Sequence, residues 1–516
     1  MVYVPTLWKD GVTELDEIAL NKIELGIAMA YDPTSITSAL IISVKDYGAV
    51  GDGVTDDTEA VQAAIDSLTS TSTLFFPSTG IGFYKVSSLT IPSTVSDLSL
   101  VGAGIVQTYL KFTSLVCVSV QTNGIHFEGM RVEGPGIDVD GTVLFQDNRT
   151  NNTEDFDISF NTCYLSESET VVSAKGHGIS FDNCFFYDIR YRIMLADFPP
   201  LALYVPGSQN TQLYTSGMRG YVFRNCRVHY SPCVILENLG ANALNLSGVI
   251  MTGNVFEGSV GYVNGYVRNM EFGNNVHYEC GNVREALFMF NGCDNVNISM
   301  QVTGKQGPYE GTSEYCNRII GSVPGSTKSC NNLSFNGNIC DVFKDAFHFV
   351  AGGTNIDLHV VGKNLSQDGP GTFGLVLMEG AAPYDGIRIS GVIASPHPTF
   401  TAIRRTGNLV QNYNIDLEIT GDYSMLDNLD GGVGDGNGKM LSYRKPVTGV
   451  YAGNGGTLKI QIPFESALVQ IAGNNYQSTK SSFSNALSPE ITINADGFTV
   501  TDGANFDNQI YSFIAR

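Results

Sequence analysis

One short pattern, apolar-x-apolar-x followed by Asn or Gly, returns along the middle of this chain and restricts it to a stack of similar turns. It reads Ile125-His-Phe127-Glu-Gly129, Ile158-Ser-Phe160-Asn-Thr162-Cys163, Ile179-Ser-Phe181-Asp-Asn183-Cys184 and Tyr221-Val-Phe223-Arg-Asn225-Cys226. It returns at Met270-Glu-Phe272-Gly-Asn274, Leu333-Ser-Phe335-Asn-Gly337 and Ile387-Arg-Ile389-Ser-Gly391, and in shorter form at Val296, Ile356 and Ile415. The gaps between copies, roughly 20 to 40 residues, are those of solenoid repeats. Each copy alternates with the period of a strand and stops at a turn residue. A single coil cannot bury its own apolar face, whereas stacked coils bury a continuous one. The predicted class is all-β: a right-handed parallel β-helix over about 43–430.

Charge narrows the partners. The chain carries 29 Lys and Arg against 51 Asp and Glu, a net charge of −22. That disfavours non-specific binding to nucleic acid and to an anionic membrane surface. No run approaches the ~18 apolar residues of a membrane span, so no membrane insertion is expected. The opening MVYVPTLWKD lacks the basic and apolar regions of a signal peptide, which predicts synthesis in a cytosol without classical secretion. Three of the ten cysteines, Cys163, Cys184 and Cys226, fall at one template position. A column of small buried thiols explains this better than disulfides or metal. There is no Cys-x-x-Cys pair, zinc-spaced cluster, EF-hand loop, P-loop or dinucleotide fingerprint, so no metal and no cofactor are expected.

Three segments are predicted. Residues 1–42 stand apart: Leu15, Ile18, Ile23 and Leu25 have near-helical spacing behind the single Trp8, which suits a docking or oligomerisation element. Next, Asp56 and Glu59 have the form of a capping box. Ala60, Val61, Ala64, Ile65 and Leu68 make an apolar stripe, so a helix at about 56–68 is expected to lid the open end of the coil. After a glycine-rich break at 430–438, short alternating strands over 440–516 predict a compact β-sandwich-like module for trimerisation or glycan contact.

Several of these residues carry a resemblance. Asp46-Tyr-Gly-Ala-Val-Gly-Asp-Gly-Val-Thr-Asp-Asp-Thr58, then Leu74-Phe-Phe-Pro77, then Gly102-Ala-Gly104 with Thr108 and Leu110, resemble the pectate-lyase-like β-helix superfamily. The branch most similar is that of bacteriophage tailspikes and capsule depolymerases. Trp8-Lys-Asp-Gly-Val-Thr with Asn21-Lys-Ile-Glu-Leu-Gly26 is similar to the N-termini of phage tail and appendage proteins. The resemblance implies a homotrimer, attached to phage tail or baseplate proteins through its N-terminus, made in the host cytoplasm and carried on the virion. It also marks the Gly-Asp-Gly-Val-Thr-Asp-Asp signature as structural rather than catalytic.

The chemistry must then come from the outer surface and its loops. Insertions at 199–217 and 305–328 offer Tyr204, Tyr214, Tyr309 and Tyr315, whose rings can stack on sugars while their hydroxyls stay wet. Aligning the strand after each template sets Asp197 beside Glu237 on adjacent coils. Strands ~4.8 Å apart place such carboxyls about 5 Å apart, near the separation of a glycosidase acid/base pair. Like-charge repulsion would raise one of the two pKa values, as a general acid requires. Glu279, Glu310, Asp345 and Glu379 are further catalytic candidates. Arg192, Arg268 and His348 are candidate glycan ligands, and Gly-His177-Gly resembles an element of polygalacturonase-type hydrolases that lacks its aspartate partners here. The expectation is a tailspike that binds a bacterial surface polysaccharide and cleaves it by hydrolysis. A polysaccharide lyase and a non-catalytic receptor-binding fibre are the alternatives.

Overall fold

The computed structural model describes most of residues 41–427 and, as strand backbone, parts of 439–515. Residues 1–40 and the segments 151–155, 176–177, 197–217, 239–245, 282–285, 305–317, 323–325, 366–373, 395–400, 406–409, 421–424 and 428–438 lie outside the description, as do a few single positions. The expected N-terminal docking element falls on residues that are not described.

The repeated pattern forms a parallel β-helix. Its template segments pair in register from coil to coil, Ile125 with Ile158, Ile158 with Ile179, Ile179 with Tyr221, and Tyr221 with Val249. These strands make the first of three faces. A second face follows each template, as in Tyr109–Phe112, Arg131–Glu133 and Arg227–His229. The third face includes Val143–Asp147, Cys233–Glu237, Phe347–Phe349 and Gly374–Met378. All pairings within the coil are parallel, which requires each chain segment to travel round the column before meeting itself.

Turn residues set the corners. Between the first and second faces, Gly129, Thr162, Asn183, Asn225, Gly253 and Asn274 have positive φ. At these corners the residue that closes the template takes the backbone into the left-handed region, which Asn and Gly tolerate best. A second such column stands before each template and includes Asp97, Gly124, Asp157, Asn269, Asn295, Asn332 and Asn355. Part of it is laced outside the coil: Asn295 donates to Asn269 at 2.8 Å and Asn355 donates to Asn332 at 3.1 Å.

The interior is stacked aromatic and aliphatic side chains. Phe160 lies parallel to Phe127 at 5.0 Å and to Phe181 at 4.7 Å. Next to this stack Cys163, Cys184 and Cys226 form the expected buried column of free thiols. The hydrogen bond with Cys184, and then burial, raises the pKa of Cys163, while burial is the main cause of the rise at Cys226. From the next coil on, asparagines take over that column. Asn254 Nδ2 donates to Asn275 Oδ1 at 2.9 Å, and Asn254 Oδ1 accepts the backbone N–H of Cys226 at 2.8 Å.

One buried histidine gives the coil a pH dependence. His277 accepts from the Tyr262 hydroxyl at Nδ1 (2.7 Å) and donates from Nε2 to the carbonyl of Gly258 (2.7 Å). These bonds hold the neutral tautomer, and burial lowers its pKa from 6.5 to about 4. Between those values the unfolded chain binds a proton that the fold refuses, so stability falls as pH drops through that window. Denaturant titrations at pH 7.5 and 4.5 should show a loss of up to about 3 kcal/mol from this group. In His277→Gln the pH-dependent loss should be correspondingly smaller.

The lid helix spans Thr58–Asp66 and buries Val61, Ala64 and Ile65, the expected stripe. Its start differs from the capping-box reading. The N-cap is Asp57, whose carboxylate turns away to accept the N–H groups of Val50 (2.6 Å) and Gly51 (3.0 Å). Asp56 instead accepts the N–H of Thr58 at 3.0 Å. The glycine-rich loop before the helix competes for the same acids, and its orphan N–H groups win one of them. Beyond the coil, two small antiparallel sheets form. One pairs Val447–Ala452 with Ile510–Ala515, and the other pairs Leu458–Gln461 with Gly497–Val500.

Candidate active site on the third face

Some strands of the third face are buried on both sides. Cys233–Glu237 and Gly374–Met378 are buried at every position. The segments 197–217, 305–317 and 366–373 flank strands of this face in sequence. Polar side chains that a two-sided apolar strand would exclude are found here, each with a partner.

Glu237 is fully buried. Its Oε2 accepts from Arg192 Nε at 2.5 Å and its Oε1 from Asn264 Nδ2 at 2.8 Å. Arg192 stands on the preceding coil and Asn264 on the following one. Such a carboxylate is held as an anion between a guanidinium and an amide. The register corrects the expected neighbour: Leu195, not Asp197, lies opposite Glu237. Asp197 itself is outside the described residues. The physical reason is that these strands are apolar on both sides, so alternation carries no information about which residue faces which.

Further along the same face the register runs Glu237, Asn264, Met289, Gly321, His348, Leu377 and Arg404. Glu237 and His348 share a column but stand four coils apart, about 19 Å. They belong to separate parts of the surface. His348 Nε2 meets Glu379 Oε2 at 2.9 Å on the next coil. The His348 side chain is 14% exposed and that of Glu379 40%. Three residues before His348, Asp345 accepts from the Gly374 N–H (2.8 Å) and from Arg404 Nε (3.2 Å) and Nη2 (2.5 Å). Asp345 is buried and clamped, like Glu237. Among the described residues of this face, Glu379 combines a fixed orientation with contact to solvent.

The remaining candidates divide. Glu279 is exposed at a positive-φ turn between the second and third faces. Arg268 sits at the corner before the first face, 3.7 Å from Asp294. Neither lies on the third face. Glu310, Tyr204, Tyr214, Tyr309, Tyr315 and His177 are outside the described residues. Sequence reasoning missed Arg404 and Asn264. The sign of Arg404 was an arginine pair closing the apolar strand Thr401–Arg405.

A family model agrees with this architecture. Residues 41–285 match the family model described as rhamnogalacturonase A/epimerase, pectate lyase-like. Mannuronan C5-epimerase AlgE2 of Azotobacter vinelandii is 45% identical over 76 residues, 13% of this chain and 7% of that protein. The chain thus spans a small fraction of the curated relatives it matches. Among solved structures, tailspike protein 3 of bacteriophage CBA120 is 12% identical, covering 83% of this chain and 68% of that one at a TM-score of 0.42. The AlgE4 A-module of Azotobacter vinelandii is 14% identical, covering 76% and 98% at a TM-score of 0.30. The coil, its register and the family match together place residues 41–285 in the pectate-lyase-like parallel β-helix superfamily.

Proposed function

We propose that this protein is a tailspike-type depolymerase that binds a bacterial surface polysaccharide and hydrolyses it on the third face of the coil. The observation that carries the reading is the His348–Glu379 pair, an oriented and solvent-reaching carboxylate on a face otherwise filled by apolar or clamped side chains. A polysaccharide-processing role is also supported by the family model that residues 41–285 match. The phage assignment rests on the N-terminal resemblance, from which trimerisation and attachment to tail proteins follow.

In this reading Glu379 protonates the leaving glycosidic oxygen or activates water, and His348 holds it in position. The second carboxyl of a hydrolase pair falls to Glu310, in the insertion at 305–328, or to Asp197, which follows the strand Phe185–Ala196 in sequence. Glu237 with Arg192, and Asp345 with Arg404, act as fixed anchors beneath the glycan. The net charge of −22 favours an uncharged or mixed glycan over a polyanionic one.

Purified protein incubated with host-cell polysaccharide should release reducing ends without ultraviolet absorbance from unsaturated sugars. Added absorbance would indicate β-elimination instead. Neither signal, across hosts whose glycan the protein binds, would leave a receptor-binding appendage.

A further inference from the structure

An open groove lies away from the third face, where the first face bends into the second. Its volume is about 420 Å³. The register explains why it forms. In the upper coil Phe272 pairs with Ile298 and Asn275 with Met300, so Gly273 and Asn274 together oppose the single residue Ser299. Upstream, every corner here carries a positive-φ residue, the last being Asn274. In the next coils the strands Phe288–Gly304 and Cys330–Val342 run through the corner without a break. One residue drops out of the stack, and the surface steps inward below Asn274. Bulges of this kind recur beside functional surfaces.

The lining is uncharged. Asn274, Gln301, Asn336 and Asn338 are exposed, Ser299 is half-buried, and no Asp, Glu, Lys, Arg or His lines the groove. Among the described residues none of these four amide side chains has an internal hydrogen-bond partner. The asparagines of the adjacent corner contrast with them, being bonded to one another. Each amide offers both a donor and an acceptor, which matches the dual character of a sugar hydroxyl. Tyr278 is 55% exposed and lies two residues beyond Val276, a lining residue, on the same side of the strand. Its ring can pack against the apolar face of a pyranose. A uronate would find no cation here.

We propose that this groove is a second glycan-binding site, for an uncharged stretch of polysaccharide, distinct from the cleaving face. The proposal rests on the polysaccharide-processing reading and adds the class of sugar and a second point of attachment. Two points on one column would keep a long glycan bound between cleavage events.

The test uses the full chain and an array of oligosaccharides of glucose, galactose, rhamnose and N-acetylglucosamine, beside oligogalacturonate and oligomannuronate. At least one uncharged oligosaccharide should bind, more tightly than either uronate. Its binding should weaken about tenfold or more in Gln301→Ala/Asn338→Ala and in Tyr278→Ala, while the cleavage rate on short fragments stays unchanged. Binding that is equal in the variants, tighter binding of a uronate, or no binding of any uncharged probe would overturn the proposal. A protein that cleaves nothing yet binds uncharged sugar through Gln301 would overturn the hydrolase reading alone.

Discussion

Glutamine in place of Glu379 is expected to lower polysaccharide cleavage by about 10²- to 10⁴-fold, the usual contribution of a positioned acid or base. The fold should be unaffected. The Glu379 side chain is 40% exposed, and the amide of glutamine is nearly isosteric and can still meet His348 Nε2. Reducing-end release with unchanged thermal unfolding would check both halves. His348→Ala should also slow cleavage, because it frees the carboxylate to rotate, but a His348→Gln variant, whose amide nitrogen can take the place of Nε2, should recover part of the rate. A positioning role predicts that recovery, and a histidine that exchanges protons with the substrate does not. Retained activity in Glu379→Gln would remove this carboxylate from the site.

The largest stability effect should come from Arg404→Ala. Asp345 is 1% exposed at its side chain and receives two donors from Arg404. Removing the guanidinium leaves a carboxylate in a buried place with the Gly374 N–H still bound. Breaking a buried pair in this way typically costs about 3–5 kcal/mol, because the remaining charge has lost its compensation. Replacing both members, Asp345→Asn with Arg404→Met, should recover most of that loss. Denaturant midpoints of the single and double variants give the comparison. A single-variant loss under about 1 kcal/mol would mean that water reaches Asp345 and that the pair behaves like a surface one.

How far the sequence alone could be read depended on whether a strand had one buried side or two. The template strands have one, and there the reading was sound. Ile158, Phe160, Ile179 and Phe181 face inward and pair in register. The closing residue of most copies, among them Gly129, Asn183, Asn225, Asn274 and Gly391, falls at positive φ. The three aligned cysteines line one internal column. A second column of turn residues, before each template, went unnoticed because its members vary between Asp, Gly and Asn and no apolar pattern points to them.

On the third face the same logic failed. Cys233–Glu237 is buried throughout, so sliding it by a position or two changes no hydrophobic pattern. The expected partner of Glu237 therefore came out two residues away. Arg404 and Asn264 were invisible for a related reason. A polar residue in an apolar strand announces that it has a partner, but the partner lies one or two coils away, tens of residues along the chain.

Sequence by itself settled the kind of object this is: a coil of parallel strands, lidded by an amphipathic helix, with its thiols inside. Period-2 alternation and turn chemistry are local, so they can be read along a single strand. The pairing of charges, the separation of Glu237 from His348 by four coils, and the step that opens the amide-lined groove were decided only by stacking. Each is a relation between coils, and the offset between neighbouring coils is set by packing of the whole column rather than by any residue in it.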